Sequence, residues 1–120
     1  MRKTIEQERA SFCIEERKKF KDDKKFKTNA KRFPELIVSN GLIPALAFYK
    51  AKEERKSVYN ILNKWLKNKK YITNDALEEL VNADVGRLRL ATVEALALAT
   101  WLKRVVEIKD EKKAEDGVKR

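Results

Sequence analysis

The spacing of apolar residues between positions 26 and 49 predicts two helices joined by a tight turn. The first apolar set recurs at steps of three and four residues, which places it along one helical face. It consists of Phe26, Ala30, Phe33 and Ile37. Gly41 ends this helix, because glycine accepts the left-handed conformation that closes a last turn. The second set follows directly and consists of Leu42, Leu46 and Tyr49.

Two prolines lie within these helices. Pro44 suits the first turn of the second helix, where no amide donor is required. Pro34 lies inside the first pattern, so we expect it to kink that helix or to mark its effective start. The pattern therefore predicts one helix at about Lys24 to Ser39 and another at about Leu42 to Arg55.

Two other segments show helical periodicity. A helix from about Thr4 to Phe20 begins with a Thr4-x-x-Gln7 capping box. Its predicted inward residues are Ile5, Phe12, Cys13 and Phe20. The clearest amphipathic pattern belongs to a fourth helix. Its apolar face consists of Val58, Ile61, Leu62, Trp65 and Leu66.

A short fifth helix and a long sixth helix complete the pattern. The fifth follows the capping residues Thr73-Asn74-Asp75. Its apolar face consists of Leu77, Leu80 and Val81. Gly86 separates it from the sixth helix, at about Arg87 to Lys109, which is apolar on nearly all sides and should be the most buried. The expected fold is all-α, a compact single domain of about six helices over residues 1–108, with a charged, frayed or disordered tail over 109–120.

Glu94 lies inside the apolar sixth helix and has two interpretations. It can lie on a partly exposed face of the helix. Alternatively, it is a buried carboxylate paired with an arginine of a neighbouring helix, since an unpaired buried charge is costly.

Positive charge is concentrated in the first part of the chain. The net charge is +10, and residues 1–70 hold twenty of the 29 basic residues but only nine of the 19 acidic ones. The bias is sharpest from Arg17 to Arg32. Such a segment attracts phosphate polyanions. The alternatives are a solvated lysine-rich surface and a basic membrane helix, for which the apolar face of Phe20 and Phe26 is too thin.

The composition offers little for catalysis. The chain has no histidine, which removes the usual metal ligand and general base. Asp22-Asp23 is the only adjacent aspartate pair, and the surrounding lysines favour a surface role over magnesium binding. The lone Cys13 is typical of a small buried hydrophobe. We expect no enzyme activity, no metal and no cofactor, and a cytoplasmic location, because the N-terminus has no apolar leader.

Two blocks of sequence resemble a known family. The first runs from Phe33 to Lys52 and reads FPELIVSNGLIPALAFYKAK, and the second runs from Arg89 to Arg104. Together they cover about a third of the chain. Both are similar to the small helical subunit of type III-B CRISPR effector complexes, the Cmr small subunit, in the same order and at a plausible separation.

The resemblance implies a non-catalytic, structural and RNA-binding subunit of an antiviral ribonucleoprotein. In that family, copies stack into a filament that lines the groove for the target RNA, and RNA cleavage belongs to another subunit. The implied partners are the ferredoxin-like backbone subunits, the large subunit, further copies of the chain and the guide RNA–target RNA duplex, with no membrane.

Basic positions in the two blocks and in the charge run are the candidate RNA-binding residues. They are Lys24, Lys27, Lys31, Arg32, Lys50, Lys52, Arg89, Lys103 and Arg104. They cannot all face one ligand, because Arg32 is rotated by about 100° from Lys31 on a helix. We expect some to contact a neighbouring subunit. Glu78 and Glu79 are the candidate subunit interface, where an acidic surface meets the basic helices of the adjacent copy.

The main alternative is a free-standing basic helical protein that binds DNA or structured RNA. Its recognition helix would be Leu42 to Arg55, whose first turns carry no polar side chains for base contacts. A metal-dependent nuclease built on Asp22-Asp23 is a third interpretation.

Overall fold

The computed structural model describes residues 2–119, with side chains described up to Ile108, and this part of the chain forms six α-helices. They are α1 (Ile5–Arg17, followed by a 3-10 turn at Lys18–Phe20), α2 (Lys24–Asn40), α3 (Leu42–Lys50), α4 (Glu53–Asn68), α5 (Ala76–Leu80) and α6 (Val85–Lys119). The all-α, single-domain prediction is confirmed.

Helices α2 and α6 pack together at the centre, with α1 against α6 and α4 against α2, α3 and α6. Both predicted apolar stripes are buried in this core, from Phe26 through Ile37 on α2 and from Leu42 through Tyr49 on α3. Fully burying a side chain of this size contributes about 1.5–3 kcal/mol. The core therefore rests on the stripes that the sequence predicts.

The helix α2 runs through Pro34 without interruption and begins at Lys24, so Pro34 does not mark its start. Gly41 ends α2, with φ 95° and ψ 161°, and its amide donates to the carbonyl of Ile37 at 2.8 Å. The positive φ is as predicted. The ψ value places the residue in an extended, glycine-only region rather than the left-handed helical one.

The predicted third helix, Leu42 to Arg55, is wrong at its C-terminal end, because α3 ends at Lys50 and the helical conformation is interrupted there. Lys52 is extended (φ −130°, ψ 144°) and is the N-cap residue of α4. Arg55 folds back over this break, and its Nε donates to the carbonyl of Phe48 at 2.9 Å. A contact between side chain and backbone stabilises the break, and neither glycine nor proline marks it.

Some apolar positions that were predicted to be buried face solvent: Leu90 and Val93 on α6, which was predicted to be the most buried helix, and Ile5 and Val81. Ile5 is exposed because it is the first residue of α1, one turn before Arg9, where the bonds of α1 to α6 begin. Val81 is exposed because it follows the last residue of α5, and Ala76 and Leu80 are buried there instead. The Thr4–Gln7 capping box is present as predicted.

The last helix begins and ends differently from the prediction. Asp84 Oδ1 accepts a hydrogen bond from the amide of Arg87 at 2.8 Å, so α6 starts at Val85 and includes Gly86. Its backbone continues to Lys119. Side chains beyond Ile108, and Arg120 altogether, lie outside the described residues. The division into a domain over 1–108 and a tail over 109–120 stays a prediction.

Candidate nucleic-acid interface

A buried carboxylate connects the first helix, the fourth and the last. Glu94 of α6 accepts two hydrogen bonds from Arg9 of α1, from Nε and Nη2, each at 2.8 Å. Trp65 Nε1 of α4 donates to the same carboxylate at 2.8 Å. Burial alone raises the pKa of Glu94, but the bonds from Arg9 and Trp65 outweigh it and lower the pKa. The paired interpretation of Glu94 is correct.

The carboxylate of Glu79 organises the loop before α5. It accepts hydrogen bonds from the backbone amides of Thr73, Asn74 and Asp75, at 2.8, 2.5 and 2.8 Å. These bonds, the one from Thr73 first, lower its pKa to about 2. Arg87 also lies 3.2 Å from this carboxylate. Glu79 therefore has a structural role inside the chain, while its predicted role at a subunit interface stays a prediction.

Lys50, a candidate RNA-binding residue, lies among acidic side chains. Its Nζ is 3.0 Å from Asp75 and 3.9 Å from Glu78. The hydroxyl of Tyr59 donates to Asp75 at 2.9 Å, which fixes the carboxylate. Lys50 is thus partly neutralised by its own chain, and Glu78 remains exposed beside it.

The side of α2 that faces α3 and α4 gathers four cationic side chains, which we call the basic groove. They are Lys24, Lys25, Arg32 and Arg55. The groove contains two neighbouring cavities. The polar cavity, of about 270 Å³, is lined by Lys24, Lys25, Thr28, Asn29, Glu54 and Arg55. The aromatic cavity, of about 290 Å³, is lined by Asn29, Arg32, Glu35, Leu36, Ser39, Phe48 and Tyr49.

Asn29 belongs to both cavities and ties three helices together there. Its side-chain Nδ2 donates to the backbone carbonyl of Glu54 in α4 at 3.0 Å. Its backbone carbonyl accepts from the hydroxyl of Tyr49 in α3 at 2.6 Å. Burial raises the pKa of Tyr49 to about 12, so this hydroxyl keeps its proton at neutral pH. These two hydrogen bonds come from neutral groups, so they hold the groove walls together without using its cations.

The other predicted RNA-binding residues are dispersed. Lys27 is only 9% exposed and Lys31 is half-buried. Lys52 is exposed at the N-cap of α4, three residues before Arg55 of the basic groove. Three more are on α6: Arg89 and Arg104 are exposed, whereas Lys103 is half-buried.

Two members of the basic groove, Lys25 and Arg55, are not among the predicted residues. Lys25 belongs to the same charge run as Lys24, so the charge pattern that identified Lys24 could also have identified Lys25. Arg55 could not be placed, because the sequence assigned it to the end of α3 rather than to the first turn of α4. Its guanidinium lies 3.7 Å from the centroid of the Phe48 ring.

A second surface feature is an apolar groove of about 630 Å³ between α1 and the middle of α6. Its lining is Ile14, Arg17, Lys18, Lys21, Trp101, Val105 and Ile108. Ile14 and Ile108 are exposed there. An exposed apolar surface rimmed by charge is typical of protein docking sites.

Of the residues considered for catalysis, Asp23 caps a helix and Cys13 is buried in the core. Asp23 Oδ1 accepts from the amide of Phe26 at 3.0 Å and so caps α2. Burial raises the pKa of Cys13 to about 12, which keeps the thiol protonated. Within the residues that the structure describes, no three His, Cys, Asp or Glu side chains come together as a metal site. The same residues contain no helix that is long and apolar enough to cross a membrane.

The fold and the groove define a class of small all-helical proteins that present a basic surface. Residues 5–109 match the family model of CRISPR-associated protein (Cas_Cmr5). The chain therefore belongs to this family and is a subunit of a type III-B CRISPR (Cmr) complex, as the resemblance implied.

A solved structure has the same fold. The crystal structure of a CRISPR-associated Cmr5 family protein from Thermus thermophilus superimposes with a TM-score of 0.74 at 27% sequence identity. The similarity covers 89% of this chain and 97% of the Thermus chain. The whole bundle, rather than one helical hairpin, is thus shared.

Proposed function

We propose that this chain is a non-catalytic, RNA-binding subunit of the Cmr complex whose basic groove contacts the backbone of the target RNA. The observation that carries the proposal is the convergence of Lys24, Lys25, Arg32 and Arg55 on one side of α2. Among the described residues that line the polar cavity, Glu54 is the one carboxylate, 3.7 Å from Lys25, which leaves this lining net positive.

Phosphate contacts suit this role because base pairing with a guide supplies sequence specificity. The major groove of an A-form duplex is too deep and narrow for side chains, so contacts go to phosphates and 2′-hydroxyls. Lysine provides a flexible point charge, and arginine can bind one phosphate through two donors. The groove contains both kinds of cation.

Removing charge from the basic groove tests the proposal. We expect the Lys24→Gln/Arg32→Gln variant to bind RNA more weakly and to lose about 0.7 in the slope of log K against log salt for each phosphate contact removed. The matched control is Lys3→Gln/Lys67→Gln, which removes two exposed charges elsewhere. Binding is measured by fluorescence anisotropy across a salt series, with the complex carrying each variant. Equal losses in both variants would contradict a localised RNA surface.

Assembly with other subunits and stacking of copies are part of the same proposal. The apolar groove between α1 and α6 has Lys18 and Lys21 at its rim. Around the start of α6, Val81 and Val85 are exposed; Val85 follows Asp84 directly, and Glu78 lies one turn before Val81. The carboxylates of Asp84 and Glu78 are opposite in charge to Lys18 and Lys21 at the apolar groove. These two surfaces support head-to-tail stacking, which repeats without closing.

A further inference from the structure

Phe48 is an exposed aromatic ring that the structure holds rigidly within the basic groove. It is 49% exposed, although it belongs to α3 between the buried residues Leu46 and Tyr49. The Arg55 guanidinium lies over the ring at 3.7 Å, and the Tyr49 ring meets it edge-on at 5.8 Å. A large apolar side chain kept at the surface and oriented by two neighbours has the properties of a stacking platform.

Three hydrogen bonds fix the backbone and the walls around this ring. Arg55 Nε donates to the carbonyl of Phe48, Tyr49 donates to Asn29, and Asn29 donates to Glu54. They connect α2, α3 and α4 around the ring. Binding to a platform that is already ordered costs little conformational entropy.

The two cavities of the groove differ in charge. Its described lining gives the polar cavity three cations, Lys24, Lys25 and Arg55, and one carboxylate, Glu54. The aromatic cavity has one cation and one carboxylate, Arg32 and Glu35, with apolar surface from Leu36 and the aromatic rings. An anionic group therefore favours the polar cavity, and a neutral, flat group with hydrogen-bonding edges favours the aromatic one.

We propose that this groove binds one unpaired nucleotide of the RNA, with its base against Phe48 in the aromatic cavity and its phosphate beside Lys24 and Lys25. Glu35 can accept a hydrogen bond from an N–H group of the base, such as N3–H of uracil, and it disfavours a phosphate in that cavity. A base inside a duplex already stacks on its neighbours, so only an unpaired nucleotide offers its face to the ring. This inference rests on the proposed RNA-binding function and specifies its ligand.

The first test compares single-stranded and paired RNA. We expect Phe48→Ala to weaken binding of oligouridylate about tenfold, while binding of a fully paired RNA duplex of the same length is unchanged. Phe48→Trp keeps a stacking surface and should restore binding. Val38→Ala, which shortens an exposed apolar side chain of the neighbouring helix α2, is the matched control and should change neither affinity.

The second test maps the contact in the assembled Cmr complex with target RNA that contains 4-thiouridine at successive positions. Irradiation should crosslink a thiouridine to the peptide that contains Phe48, and Phe48→Ala should abolish this crosslink. No crosslink at this peptide, or an equal loss of single-stranded and paired RNA binding in Phe48→Ala, would overturn the stacking role. If Lys24→Gln/Arg32→Gln still weakens binding in that case, the phosphate-binding function stands; if it has no effect, both proposals fail.

Discussion

Glu94 accepts hydrogen bonds from two other helices, which makes it the polar centre of the bundle. Its partners are Arg9, 85 positions away, and Trp65, 29 positions away. A buried carboxylate is costly on its own, so each partner compensates for part of its lost hydration. The local pattern indicated that Glu94 was unusual. It could not identify the partners, since a helical period carries no information about residues so far apart.

Removing Arg9 should leave this carboxylate inadequately paired. We expect Arg9→Met to lower the free energy of unfolding by about 2–3 kcal/mol, because breaking a buried ion pair on one side leaves an uncompensated charge. Arg9→Met/Glu94→Gln should recover most of the loss, as the glutamine oxygen still accepts from Trp65 and no charge is buried. Denaturant unfolding measures both values, and a double variant less stable than the single one would contradict this account.

The same pair predicts how stability responds to acid. The pKa of Glu94 is below its ordinary value of 4.5 in the folded protein, so its stabilising contribution is complete above pH 4.5. The contribution is lost as the pH falls through the lower, folded pKa. Unfolding measured from pH 7 downwards should show a smaller acid loss in Arg9→Met/Glu94→Gln than in the wild type.

At the scale of the helices, Gly41 and Gly86 allow the same substitution to be compared in two backbone conformations. Gly41 has a backbone conformation that only glycine adopts easily, and a Cβ there would meet Pro44 Cδ at an ordinary 3.7 Å. The strain of Gly41→Ala is thus conformational, and we expect a loss of about 1–3 kcal/mol. Gly86 lies within α6, so Gly86→Ala should stabilise the protein by up to about 1 kcal/mol. Thermal unfolding compares the two, and a neutral Gly41→Ala would refute the argument.

The helices could be predicted from the sequence where an apolar stripe coincided with a capping signal. Thr4, Gly41 and Asp75 all end or begin a helix as expected. The break before Lys52 gave no such signal, because a contact between Arg55 and Phe48 from two different helices stabilises it. That error also displaced Arg55, so the basic groove could be predicted only on its α2 side.

At the scale of the whole molecule, the proposed stacking joins two surfaces that α6 connects. One contains the exposed Val85, which follows Asp84, and the other is the apolar groove at Ile108, with Lys18 and Lys21 in its lining. Glu79 is bound to its own loop, so reversing its charge would damage the fold as well as any interface. Cysteine crosslinking tests the stacking without this complication.

We expect Val85→Cys and Ile108→Cys to crosslink between copies in the assembled complex. A mixture of the two single variants should give only crosslinked dimers. The double variant Val85→Cys/Ile108→Cys should give a ladder of crosslinked products that contain more than two copies. The native Cys13 is buried and protonated, so it will not interfere. The exposed Val38→Cys, paired with Ile108→Cys, is the control. A complex that contains several copies but gives no ladder would exclude these surfaces.

The pairing of the first helix with the last has a consequence for synthesis on the ribosome. Arg9 and Cys13 of α1 meet Glu94 and Leu98 of α6, which are among the last parts of the bundle to be made. Until they emerge, the nascent chain exposes the apolar face of α1 and of the core helices that α6 covers. We therefore expect the bundle to fold only after α6 has been made, so products terminated before α6 should be unfolded substrates for proteases rather than defective subunits that could enter the complex.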